Sequence, residues 1–286
     1  MARVTRIAVT GTESSHVDHF IRFLNVERRG GDARVTVLVG GDSDRNRELA
    51  ALGGIDTVVD SPGEAATLAD AAIVSNRDGR LHRREATPFL DAGLPVLVDK
   101  PLAASSSDAE AMLATASAGG AMVTSFSAVR FADDVQYVRE QVPTLGGLRA
   151  VVLTGPADPG SEHAGLFFYG IHLVEAAFEL IGDHEPASAP AVQVTRRGDI
   201  ITAVTEIGEV QVVLVFVTPT SGSQVPFHVT AAGRHGILAR EITLGPDYCA
   251  PGLARFLTML DTSRPMYSDA ALLRTVRLME AVAADV

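Results

Sequence analysis

Tryptophan is absent from this chain, and cysteine and lysine occur once each. Without tryptophan, an aromatic platform for a ligand has to come from tyrosine or phenylalanine. A lone Cys249 excludes an internal disulfide and a thiolate metal cluster, and a reducing, cytoplasmic home is expected. Cys249 itself reads as a packing residue. Positive charge is short as well. The formal net charge is −11 and no basic stretch is interleaved with aromatics, so neither nucleic acid nor a membrane surface is an expected partner. No apolar run approaches the length of a membrane span. The first residues pass into a strand-like pattern without the apolar region of a signal peptide.

The scarcity of lysine says the most. Lys100 stands against 23 arginines. The two residues interchange on a solvated surface, but not where a compact ammonium of tunable pKa is required. Lys100 lies in Val96-Leu97-Val98-Asp99-Lys100-Pro101-Leu102-Ala103. Residues 96–98 read as a buried strand, so Asp99 and Lys100 fall at its carboxyl end, the edge where open α/β sheets bind ligands. Pro101 keeps Lys100 out of the helical region. Lys100 is read as a chemical group; the plain alternative is a structural cation that survived by chance.

The 286 residues suffice for two domains. Strand-like runs at 4–10, 35–39, 57–59, 71–75, 96–98 and 121–125 alternate with helical patterns at 16–24, 44–52, 81–92 and 108–118. Ser15 and Asp18 resemble a capping box at the first helix. This alternation predicts a doubly wound parallel sheet over residues 1–125. The pattern then changes. A helix at 133–141, a strand at 148–154 and a helix at 168–181 precede strand runs at 192–195, 200–205, 210–217, 227–231 and 237–243. Short turns such as Arg197-Gly198-Asp199 and Gly208-Glu209 join several of these runs, which predicts an antiparallel meander. Helices at 252–260 and 269–283 close an α/β domain expected over 126–286. In the run 210–217, Val210, Val212, Leu214 and Phe216 make one apolar face, and Val213, Val215 and Val217 make most of another. A sheet with two apolar faces must bury both, so a homodimer or homotetramer through this sheet is expected.

Several segments together resemble one family. Asp99-Lys100-Pro101 is similar to the (E/D)KP segment of the Gfo/Idh/MocA dehydrogenases, which include glucose–fructose oxidoreductase and inositol dehydrogenase. Leu81-His82, ahead of a helix ending in Asp91-Ala92-Gly93, resembles their strand-four loop. Arg130-Phe131 resembles their Arg-Phe pair, Gly146-Gly147-Leu148 their glycine pair, and Gly170-Ile171-His172 their catalytic G-x-H. The resemblance covers almost the whole chain. The resemblance implies a Rossmann domain followed by an α/β domain with an open antiparallel sheet. It also implies hydride transfer between NAD, or NADP, and a sugar, cyclitol or related small molecule. Gly11, Thr12, Ser14, Ser15, His16, Asp42, Asn76, His82, Asp99, Lys100, Pro101 and Arg130 would hold the cofactor, and no metal is expected.

Two positions depart from the family's pattern. The loop Gly11-Thr12-Glu13-Ser14-Ser15-His16 has Glu13 and His16 where G-x-G-x-x-G has glycine. A carboxylate repels a diphosphate unless it turns away, while amide groups at the start of the following helix still attract one. Phe168 occupies the position of the family's aspartate, four residues before His172. Oxidising a carbinol removes a hydride and a proton. His172 is the expected proton acceptor, and Lys100 the cation beside the reacting oxygen. Tyr169 and Glu175 lie one turn either side of His172, Glu175 to accept its second N–H and Tyr169 to lend a phenol. Both also fit an ordinary half-exposed helix face. Asp42 reads either as the ribose ligand that selects NAD or as a helix cap, and Arg45 argues for a 2′-phosphate. His163 sits in a solvated loop, and His16, Asp18 and His19 resemble a metal cluster only superficially. A non-catalytic binding or regulatory protein, and a lyase-like or glycosidase-like enzyme that retains its nicotinamide, remain alternatives.

Overall fold

A computed structural model describes residues 4–182 and 191–286. The chain forms two compact units. The first comprises residues 1–103, 107–126 and 249–269; the second comprises 104–106, 127–248 and 270–286. The segment 249–269 thus returns to the first unit.

In the first unit six strands form one parallel sheet: β1 (Thr5–Thr10), β2 (Ala33–Val39), β3 (Thr57–Val59), β4 (Ala71–Val74), β5 (Val96–Asp99) and β6 (Val123–Phe126), in the order β3-β2-β1-β4-β5-β6. Every residue of β4, β5 and β6 is buried, the polar Asp99, Thr124 and Ser125 included, as strands of a parallel sheet covered on both faces are. Helices α1 (His16–Ile21), α2 (Ser43–Gly53), α3 (Pro62–Ala66), α4 (His82–Asp91) and α5 (Ser106–Gly119) connect the strands. The strand order reverses between β1 and β4, and that switch point is where doubly wound sheets open a ligand crevice. Helix α8 (Ala250–Thr262) packs here too. Gly252 meets the ring of Phe126 so closely that a Cβ would lie 2.0 Å from it.

The first helix departs from expectation. Ser15 makes no side-chain cap, and Asp18 pairs with Arg45 of α2 instead. An aspartate is a carbon shorter than the glutamate of a capping box, and a guanidinium faces it across the helix pair. Ser14 accepts the His16 N–H at 3.3 Å. Beyond Ile21 the helix widens into a π-helical turn over Arg22–Val26.

The second unit carries the other sheet. Its strands are β7 (Leu148–Pro156), β8 (Gln193–Arg197), β9 (Ile200–Ile207), β10 (Val210–Val217), β11 (Phe227–Gly233) and β12 (Ile237–Ile242), in the order β12-β11-β7-β10-β9-β8. Hairpins β8–β9–β10 and β11–β12 are antiparallel, as their turns require. The meander is interrupted, however. β7 inserts between β10 and β11 and runs parallel to β10. Helices α6 (Asp133–Gln141), α7 (Phe167–Ile181) and α9 (Asp269–Ala283) complete the unit. Gly170 brings α7 close to Phe216 of β10 and Met279 of α9, which a Cβ would meet at 3.1 and 3.2 Å. This contact fixes the rotation of α7 two residues before His172.

Candidate active site

In the first unit, Asp99 gathers the carboxyl edge of the sheet. Its Oδ1 accepts the Lys100 N–H at 2.8 Å, and its Oδ2 accepts Ser75 Oγ–H at 3.1 Å and meets His16 Nδ1 at 2.6 Å. Three strand ends are thereby tied to one carboxylate: the loop after β1, the end of β4 and the end of β5. Burial alone would raise the Asp99 pKa, but the His16 ring and Lys100 outweigh it and hold the carboxyl well below its usual range. Lys100 is 8% exposed and joined to Pro101 by a cis peptide bond. Burial pushes its ammonium below the usual lysine value; Asp99 and Cys249 oppose this, and Arg77 adds to it. The single lysine and the single cysteine therefore share one electrostatic neighbourhood, which the plain reading of Cys249 missed.

The glycine loop closes against the loop after β4. Gly11 has φ +77°, and a Cβ there would lie 2.1 Å from the Asn76 nitrogen, so only glycine fits. Glu13 turns from the loop and accepts the Arg77 N–H at 3.1 Å. The side-chain oxygens Thr12 Oγ1 and Asn76 Oδ1 are buried and have no hydrogen-bond partner among the described residues. Both belong to the loops that flank the switch point.

Other positions expected around a cofactor are committed elsewhere. Ser15 is exposed. The His16 ring goes to Asp99. His82 is fully buried, with Nδ1 2.7 Å from the Pro101 carbonyl and Nε2 2.8 Å from that of Asn76. Neither ring nitrogen remains for a ligand, and His82 instead clamps the two loops together. Asp42 caps α2, accepting the Asp44 and Arg45 N–H groups through Oδ1. Arg45 donates to the Thr12 carbonyl at 3.1 Å and to Asp18 Oδ1 at 3.2 Å.

The second unit holds His172 on α7. Its Nδ1 lies 2.6 Å from Ser127 Oγ. This corrects the expected partner: the Glu175 carboxylate accepts instead from Arg130 Nη1 at 2.9 Å. Burial raises the Glu175 pKa, and Arg130 and the Ser127 backbone N–H oppose the rise. Arg130, expected at the cofactor, is buried with Glu175 and with Glu179, 3.0 Å away. It is the cation that compensates both carboxylates of α7. A chain of rings surrounds His172. Tyr169 and Phe227 stand edge-on to it at 5.5 Å each, Phe168 lies 5.0 Å from Tyr169, and His163 4.8 Å from Phe168. Tyr169 is 42% exposed. Ser75, Ser127, Glu179 and Phe227 were not singled out in the sequence. Each meets its partner across at least 24 positions, and no local spacing signals such a contact.

Residues 5–127 match the profile of an oxidoreductase family with an NAD-binding Rossmann fold, Gfo/Idh/MocA. The match takes in all six strands of the first sheet. Inositol 2-dehydrogenase of Rhodococcus erythropolis is 37% identical over 118 residues, which cover 41% of this chain and 32% of that enzyme. Inositol 2-dehydrogenase 1 of Saccharopolyspora erythraea is 38% identical over 108 residues, 36% of this chain and 30% of that one. The chain therefore spans about a third of the length of these curated relatives. Over the full fold it resembles GenD2 from gentamicin A biosynthesis, solved in complex with NAD. The TM-score is 0.81 at 18% identity, covering 100% of this chain and 95% of that one. At that identity the likeness is one of fold.

Proposed function

We propose that this chain is an NAD(P)-dependent oxidoreductase that moves a hydride between nicotinamide and a CH–OH carbon of a sugar, cyclitol or related polyhydroxylated molecule. The observation that carries the reading is the switch-point geometry within the family-matched region: a glycine loop that admits only glycine at Gly11, beside a sheet edge bearing Asp99 and Lys100. The residues present suit a dinucleotide. Thr12 Oγ1 and Asn76 Oδ1 are buried polar atoms in want of partners, and Glu13 is held against the Arg77 amide rather than left in the loop. When bound, the nicotinamide supplies or accepts the hydride. In the first unit, Lys100 is the group assigned to the reacting oxygen. NAD is favoured over NADP because Arg45 is already neutralised by Asp18 and gives a 2′-phosphate little attraction.

Calorimetry with NAD, NADH, NADP and NADPH tests the reading. Binding of at least one is expected, with the non-phosphorylated pair tighter. A screen of polyols and their ketones, followed by the absorbance of reduced nicotinamide, then locates the substrate. No heat and no thermal shift with any of the four would sink the oxidoreductase reading and favour a binding protein on this scaffold.

A further inference from the structure

The ring of His172 is held at one nitrogen by a buried hydroxyl. Ser127 is 0% exposed and His172 7%. Ser127 Oγ lies 2.6 Å from His172 Nδ1 and accepts the Val129 N–H at 3.1 Å. A serine hydroxyl has one proton and two acceptor sites. Val129 uses one acceptor site. Among the described residues, Nδ1 is the acceptor within reach of the hydroxyl proton. If Nδ1–H were the donor instead, that proton would be sealed from water without a partner, the costly arrangement for a buried polar group. The rest of the surroundings hold this geometry. Glu175 accepts the Ser127 backbone N–H and pairs with Arg130, while Tyr169 and Phe227 flank the imidazole edge-on.

We propose that Ser127 donates to Nδ1 and so holds His172 as the neutral tautomer with its proton on Nε2. The partner of a histidine's inner nitrogen decides what the outer nitrogen can do. A carboxylate partner only accepts, which would place the proton on Nδ1 and leave Nε2 as a base. The hydroxyl of Ser127 does the reverse. Nε2 is then a hydrogen-bond donor, able to polarise a carbonyl oxygen or steady a developing alkoxide, and unable to take an alcohol proton. A neutral imidazole in that electrophilic role has precedent in enzymes. His172 thus acts differently from the base expected from the sequence, and Ser127 is a positioning residue. The role toward substrate rests on the oxidoreductase reading; the tautomer does not.

Long-range proton–nitrogen NMR of histidine-labelled full-length protein at neutral pH reads the tautomer directly, with His172→Gln identifying the resonances. The wild type should show a protonated Nε2 and a bare Nδ1. Ser127→Thr should keep that state, and Ser127→Ala should lose it to a mixture of tautomers. A wild-type ring protonated on Nδ1 overturns the proposal, and so does a Ser127→Ala ring indistinguishable from wild type. If Ser127→Ala does not fold, the wild-type and threonine spectra decide. Failure to turn over any polyol or ketone would sink the oxidoreductase reading and leave the tautomer result standing.

Discussion

Lys100 and Asp99 are neighbours whose pKa values move downward together, with burial working on them in opposite senses. Burial disfavours the charged form of each; it wins at Lys100 and loses at Asp99, where His16 and Lys100 both stabilise the anion. Replacing Lys100 by arginine keeps the charge but spreads it over a longer planar group. Lys100→Arg and Lys100→Met should each lower turnover by about two to three decades, the loss of one electrostatic donor. Melting temperature and nucleotide affinity serve as controls. An arginine variant that keeps more than roughly a third of the activity would return Lys100 to the role of a structural cation. Because its pKa is depressed, the ammonium is lost below the usual lysine range, so the alkaline limb of the rate profile should fall there. For Asp99 the sign is the other one. A depressed carboxyl pKa contributes stability above the unfolded value, and that stability is lost as pH falls through the folded value. Asp99→Asn should cost about 3 kcal/mol at neutral pH by denaturant titration, as for a broken buried ion pair. The gap to wild type should narrow below about pH 4. A gap that stays constant into acid would contradict the linkage.

At the scale of elements, α7 is the most constrained helix of the second unit. It is apolar on nearly all sides, yet it carries Glu175 and Glu179 inward. Arg130, on the 3-10 turn Ala128–Phe131, satisfies both, and Gln136 adds a bond to Glu179 at 3.2 Å. Removing the guanidinium leaves two carboxylates without their shared cation. Arg130→Leu should therefore destabilise the protein by about 3–5 kcal/mol. Adding Glu175→Gln and Glu179→Gln should restore part of that loss, since burying amides costs less than burying unpaired anions. Equal stability of the single and triple variants would show that packing, not charge, holds α7 to the turn.

For the molecule as a whole, the second sheet sets the expectation about assembly. Val210, Val212, Leu214 and Phe216 are buried, and on the opposite face of β10 Val213, Val215 and Val217 are half-exposed. Val152 and Val204, paired with Val213 on either side, extend that face into β7 and β9. An apolar surface in the middle of a sheet is the kind that a second copy covers. A homodimer or homotetramer is expected by light scattering at micromolar concentration, and Val213→Glu with Val215→Glu should shift it toward monomer. A wild-type monomer would contradict this.

The sequence by itself determined the alternation that gives the first sheet, the hairpins of the second, and the place of Lys100 at a strand's carboxyl end. These depend on short-range periodicity and on glycines such as Gly198 and Gly208, whose positive φ the hairpin turns require. The motif carrying His172 was legible only through the resemblance of Gly170-Ile171-His172 to the G-x-H of the Gfo/Idh/MocA dehydrogenases. Only the tertiary structure decided what each polar side chain does. His16 and Ser75 turn to Asp99, His82 clamps two loops, Arg130 answers Glu175 and Glu179, and Ser127 meets His172 across 45 positions. It also placed β7 in the middle of its sheet. Periodicity records which face of an element is buried. Which buried donor finds which acceptor depends on strand order and helix rotation, and those are set by long-range packing that no local pattern encodes.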